Sequence, residues 1–172
     1  RERGLFANLS RIRELNAEGG IETLKVTAEM LEKSRTGRVI AVALPGGESM
    51  TFGYCPPGSF TMGSPPAEAG RGVDETQAEV RIGRGFWMGQ MEVTQVQWQV
   101  LMGTTLEQQR AKAGSRALII GMGEDHPMYY VTWEDARTFV ARLNAAATLP
   151  EGWEFALPSE AQWEYACRAG TN

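Results

Sequence analysis

Apolar positions along residues 1–37 follow a helical pattern. The apolar side chains recur every three or four residues, at Leu5, Leu9, Ile12 and Leu15. This spacing places them on one face of an amphipathic helix, which Gly19 and Gly20 end. The second half of residues 21–37 also has a helical pattern. Residues 1–37 are therefore predicted to form an N-terminal helical extension.

From residue 38 the pattern changes to short runs rich in β-branched and aromatic residues. RVIAVAL, SMTFGYC and SFTMG are typical of strands, and PGG and PPG turns separate them. AEVRIGRGFWMGQ predicts two further strands. After LPEGW, the run EFAL predicts one more.

Three helices in the rest of the chain are indicated by residues that can cap a helix N-terminus. Thr94 precedes QVQWQVLM, Thr132 precedes WEDARTFVARLNAAA, and Ser159 precedes EAQWEYACRAG. The spacings of Thr132 to Asp135 and of Ser159 to Gln162 are those of a capping box. The buried stripe of the second helix is predicted as Ala136, Phe139, Val140 and Leu143. Residues 104–127 form an excursion without a clear pattern.

Composition narrows the fold class. The 172 residues include 20 Gly, eight Pro and five Trp, which favours turns and irregular loops held together by large aromatic side chains. The chain is therefore predicted to adopt an irregular α+β fold with short strands and few helices. Trp98, Trp133 and Trp163, which belong to the capped helices, are interpreted as core residues.

Charge and hydropathy exclude two classes of partner. The formal net charge of −4 at pH 7 gives no overall attraction to nucleic acid or to an anionic membrane surface. No apolar run approaches the roughly 20 residues that span a bilayer. We therefore expect neither nucleic acid nor a membrane as a partner.

Candidate chemistry is sparse. Cys55 and Cys167 are interpreted as free, small apolar side chains, and the lone His126 argues against a metal site built from histidines. The acidic residues of the loop SPPAEAGRGVDETQ are candidate ligands for a cation. Their spacing matches no calcium-binding loop, so a solvated loop is favoured. Those residues are Glu68, Asp74 and Glu75.

Five stretches of the chain, in a fixed order, match the motifs of one known family. They are PPGSFTMGSP (56–65), DETQ (74–77), GFWMGQMEVTQVQW (85–98), HPMYYVTWEDARTF (126–139) and LPSEAQWEYACRAGT (157–171). In this order they resemble the formylglycine-generating enzyme, or sulfatase-modifying factor, family. We therefore divide the chain into residues 1–37, the helical extension, and residues 38–172, the N-terminal part of such a domain.

The resemblance implies a variant of the C-type lectin fold. Enzymes of the family oxidise a cysteine of a sulfatase polypeptide to formylglycine, using molecular oxygen and copper held by a cysteine pair. Copper and calcium are thus implied for a complete, active member. In the family, the segment similar to LPSEAQWEYACRAGT lies near mid-domain, and the calcium ligands and active cysteines follow it. We therefore expect this chain to lack the C-terminal catalytic part.

Two positions depart from the family pattern. Ala156 stands where Arg usually precedes Leu-Pro, and Glu79 stands where His is frequent. Cys55 and Cys167 do not match the family's catalytic cysteines. No catalytic, cofactor-binding or metal-binding residue is therefore assigned within this chain.

The sequence leaves three hypotheses open. The chain is part of an oxidase that forms formylglycine, or a non-catalytic lectin-like binding scaffold, as in the variable proteins of diversity-generating retroelements. Alternatively, it is one half of a cleaved domain. The expected partner is a protein or peptide, or the missing C-terminal half of the domain.

Overall fold

The computed structural model describes residues 8–11 and 38–170. The strands are β1 (Asn8–Arg11), β2 (Val39–Ala43), β3 (Ser49–Cys55), β4 (Gly58–Met62), β5 (Ala78–Ile82), β6 (Phe86–Gly89) and β7 (Trp153–Ala156). The helices are α1 (Gln95–Met102), α2 (Leu106–Lys112), α3 (Trp133–Ala146) and α4 (Glu160–Arg168). The predicted α+β class is confirmed. None of the helices in these ranges is both long enough and apolar enough to cross a membrane.

The strands form two antiparallel sheets. The larger has the order β2-β3-β6-β1-β7, and the smaller pairs β4 with β5. Successive side chains of a strand point to opposite faces of the sheet: in β2, Ile40 and Val42 are buried, whereas Val39 and Ala43 are exposed. Strands β2 to β6 lie in the segments predicted as strands.

The helix predicted from Leu5 to Leu15 is wrong at residues 8–11. These residues form β1, which lies between β6 and β7 with Leu9 opposite both Trp87 and Phe155. Pairing on both sides satisfies the backbone of a central strand, and this tertiary pairing overrides the local helical periodicity. The other residues of the predicted helical extension, 1–7 and 12–37, lie outside the described residues.

The main core lies between the larger sheet and helices α1 and α3. Trp98 of α1 and Phe139 of α3 are both fully buried and stack with ring centroids 5.4 Å apart and planes 4° apart. The indole N–H of Trp98 donates to Thr104 Oγ1 at 2.9 Å, so that its polar atom is also satisfied. Across the core, the rings of Phe52 and Phe155 lie 5.5 Å apart.

The three predicted helices begin at the predicted residues. The side chains of Thr94, Thr132 and Ser159 each accept a hydrogen bond from the backbone N–H three residues later, and each closes a capping box. Helix α2 lies within the excursion and is not predicted by the pattern. Only Leu106 and Gln109 of its residues are buried, so it has no extended apolar stripe to detect.

The outer edge of β7 is covered by a side chain. Asn144 of α3 donates from Nδ2 to the Phe155 carbonyl at 2.9 Å and accepts the Phe155 N–H at 2.8 Å. Because β7 lies at the edge of the sheet, the Asn144 amide makes the two hydrogen bonds that a neighbouring strand would make.

We predict that Asn144→Ala lowers the free energy of unfolding by about 1–3 kcal/mol, because it leaves a buried backbone N–H and C=O without partners. Urea denaturation measures the change. Thr138→Ala, on the exposed face of the same helix, serves as the control. Equal denaturation midpoints for the two variants would contradict the edge-covering role of Asn144.

Candidate functional site

A surface groove with a volume of about 1040 Å³ lies beside the N-terminus of α3. Its lining is mostly apolar and aromatic, with the carboxylates of Glu92 and Glu160 among the lining groups. The apolar and aromatic residues that line it include Leu118, Ile120, Met128, Tyr129, Tyr130, Trp133, Leu157 and Trp163. A concave apolar surface with a few polar groups is typical of a ligand-binding site.

One wall of the groove comes from the irregular excursion before α3. Leu118 and Ile120 point outward with 84% and 83% of their surface exposed, whereas Ile119 between them packs against the main core. The side chains of residues 118–120 therefore alternate between the groove and the protein. Sequence reasoning missed this wall because the alternation covers only three residues.

His126 packs against the same segment. An added Cβ at Gly121 would stand 2.8 Å from its ring Cδ2, and one at Gly123 would stand 3.0 Å from its Nδ1. Both glycines have positive φ, 79° and 145°, a region that favours glycine. His126 therefore lines the groove as part of the packing of this loop.

The backbone of Tyr130 is strained. Its φ of 59° lies in the left-handed region, which is uncommon for a residue with a side chain. The Tyr130 ring lies 4.9 Å from the ring of Tyr129, and both residues line the groove. Such strain costs on the order of 1 kcal/mol and occurs preferentially at binding and catalytic sites.

Trp98 is a core residue, as predicted, but Trp133 is not. Trp133 is 64% exposed, and the guanidinium of Arg137 lies 4.9 Å from its ring centroid. Trp133 and Arg137, one helical turn apart, share the solvent-facing side of α3, whereas the predicted stripe Ala136, Phe139, Val140 and Leu143 is buried. Trp163 is half-buried and lines the groove.

A buried carboxylate fixes the end of α3 that borders the groove. Asp135 accepts hydrogen bonds from Lys112 Nζ at 2.5 Å and from Thr132 Oγ1 at 2.8 Å, so it joins α2 to the N-terminus of α3. Burial pushes the pKa of Asp135 upward, but the hydrogen bonds from Lys112 and Thr132 outweigh burial and hold the pKa below its ordinary value.

We predict that Asp135→Asn lowers the free energy of unfolding by about 1–2 kcal/mol at neutral pH, because it weakens the cap and removes the ion pair. Since folding lowers the pKa of Asp135, its contribution is present above the ordinary value of 3.8 and is lost as the pH falls through the lowered pKa. Urea denaturation at several pH values tests this. Glu134→Gln, at the exposed neighbouring position, is the control, and parallel pH profiles for Asp135→Asn and the wild type would contradict the prediction.

The two cysteines lie in different environments. Cys55, at the end of β3, packs against a small apolar cluster formed by Ile82, Phe86 and Met88, and burial raises the pKa of its thiol to about 11. Cys167 is exposed on α4. Their interpretation as free cysteines is confirmed.

We predict that iodoacetamide at pH 8 alkylates Cys167 in the native protein and spares Cys55, since a thiol with a pKa of about 11 is about one-thousandth thiolate at that pH. Peptide mass spectrometry identifies the modified residue, and denatured protein, in which both cysteines react, is the control. Rapid alkylation of native Cys55 would show that the thiol is not buried.

The described residues do not fit the metal sites that the family resemblance implies. They contain no group of three or more His, Cys, Asp or Glu side chains placed to hold a metal ion. Copper binds thiolate, and burial disfavours the thiolate of Cys55. The carboxylates of Glu68, Asp74 and Glu75 are exposed and form no such group. No chemical step through copper or calcium is therefore assigned to these residues.

The chain is similar to a known protein family. The family model described as the sulfatase-modifying factor enzyme 1-like domain matches residues 48–172, which is more than half of the chain. No curated protein and no solved structure matches.

Proposed function

The chain belongs to the family of the sulfatase-modifying factor enzyme 1-like domain, and we propose that its described part is a scaffold that binds a polypeptide segment. The observation behind this proposal is the groove beside α3, whose wall presents exposed Leu118 and Ile120. We include in the proposal a C-type lectin-like arrangement, supported by the short strands and the long irregular connection between α2 and α3.

A polypeptide fits the groove better than a small polar ligand does. Most of the lining is apolar or aromatic, and side chains of this kind gain binding energy by burying the apolar side chains of a partner. Leu118 and Ile120 lie two residues apart on the same wall, so a partner segment that runs along this wall would contact both. The exposed Trp133 adds a large flat surface at the border of the groove.

Family membership favours a second candidate function. Formylglycine-generating enzymes act on a cysteine within a polypeptide, so the same groove would hold the substrate for that oxidation. The described residues would then position the substrate, and residues outside them would bind copper and react with oxygen. Binding is common to both candidates, which is why it is the first property to test.

Binding is tested with a panel of synthetic 12-residue peptides, each with one cysteine flanked by apolar residues, added to the full chain. We predict that the peptides that bind shift the tryptophan emission of the protein to shorter wavelength, because Trp133 and Trp163 line the groove. Ile120→Ser should weaken binding at least tenfold, because burying an isoleucine side chain is worth about 1.5–3 kcal/mol. Fluorescence titration gives the dissociation constants.

Val73→Ser is the matched control. Val73 is a 98% exposed apolar residue on another loop and does not line the groove, so its replacement should leave the affinity unchanged. Equal losses in the two variants would indicate non-specific hydrophobic binding, and no binding by any peptide would contradict the proposal. Aldehyde formed in a bound peptide in the presence of copper and oxygen, detected by mass spectrometry, would support the second candidate.

A further inference from the structure

We propose that Gln95 and Tyr129 are positioning residues that hold the wall of the groove, residues 118–123, in its binding conformation. This inference rests on the proposed function of the groove. It assigns a role to two polar groups, the amide of Gln95 and the hydroxyl of Tyr129, that take no part in the capping box of α1.

The side-chain amide of Gln95 bonds to three points of the loop. Its Nε2 donates to the Gly121 carbonyl at 2.9 Å and to the Pro127 carbonyl at 3.2 Å, and its Oε1 accepts the Gly123 N–H at 3.3 Å. The backbone N–H of Gln95 also donates to the His126 carbonyl at 2.9 Å. One residue of α1 therefore ties together both ends of the turn 121–127.

Tyr129 holds the neighbouring residue of the wall. Its hydroxyl accepts the Ile120 N–H at 2.9 Å and donates to the Ile120 carbonyl at 3.0 Å. Both backbone groups of Ile120 are thus satisfied by one side chain, as they would be by a paired strand. The Ile120 side chain is left free to point into solvent.

These bonds replace the regular structure that the wall lacks. Residues 118–123 belong to no helix or strand, and the glycines at 121 and 123 lower the barrier to other backbone conformations. Without the bonds, the exposed side chains of Leu118 and Ile120 would gain by folding back onto the protein. A wall that is already ordered binds a partner without the entropic cost of ordering at the moment of binding.

The role is separable from folding. Helix α1 is capped by Thr94 and Gln97, whose capping box does not use the Gln95 side chain. The core contacts of α1 come from Trp98 and Leu101. Replacing the Gln95 side chain should therefore loosen the loop and leave the helix and the core in place.

Gln95→Glu and Tyr129→Phe test the inference with minimal change in shape. In Gln95→Glu an oxygen replaces the donor that faces two carbonyls, and Tyr129→Phe removes only the hydroxyl. Gln99→Glu makes the same change at an exposed position of α1. Tyr54→Phe removes a hydroxyl from a tyrosine of β3 that does not line the groove.

Amide hydrogen exchange and peptide affinity are both measured on the full chain. We expect exchange at Ile120 and Gly123 to rise at least tenfold in Gln95→Glu, and exchange at Ile120 to rise similarly in Tyr129→Phe. Exchange in β3 and α3, and the Tm, should stay as in the wild type. The affinity for a peptide from the 12-residue panel should fall about tenfold in both variants and in neither control.

The outcomes separate this inference from the proposed function. If the wild type binds a peptide and Gln95→Glu binds it equally well, the positioning role is wrong and the binding function stands. A general loss of protection together with a lower Tm would also overturn it, since the residue would then be structural. If the wild type binds no peptide, the proposed function fails first and this role fails with it.

Discussion

The stacking of Trp98 on Phe139 is the contact on which both sides of the groove depend. It joins α1 to α3 at the centre of the core, with the ring planes almost parallel. Helix α1 starts at Gln95, which bonds to the loop of one wall, and α3 starts at Trp133, at the groove. Because both helices are rigid, fixing their contact fixes the distance between their N-termini, and with it the width of the groove.

Polar side chains hold a connecting segment between the helices that the apolar core positions. The core positions the helices and includes Met128 of the connection from α2 to α3, and polar side chains hold the part of that connection that leaves Leu118 and Ile120 exposed. Asp135 bonds to Lys112 at its start, and Gln95 and Tyr129 bond to its backbone further along. Hydrogen bonds to the backbone hold a loop in one shape while its side chains remain exposed. This division of roles explains how exposed apolar residues persist on an ordered surface.

The sequence predicts the scaffold well and the groove poorly. Thr94, Thr132 and Ser159 start helices because capping depends on a few adjacent residues, and β2 to β6 follow from local runs of β-branched and aromatic residues between turns. The helix prediction is wrong at residues 8–11 because the strands that pair with these residues are distant in the chain. The prediction that Trp133 lies in the core is wrong because the side of a helix that a side chain faces changes from one residue to the next. The wall at 118–123 depends on Gln95 and Tyr129, whose bonds to it cannot be read from local spacing.

The strained backbone and the buried thiol lie in different parts of the described residues. The strained backbone of Tyr130 and the exposed apolar side chains lie at the groove, which is where a fold retains features that cost stability in return for function. By contrast, the thiol of Cys55 lies in an apolar cluster and has a raised pKa, the reverse of what a nucleophile or metal ligand needs. Both observations agree with the proposal that the groove binds a polypeptide.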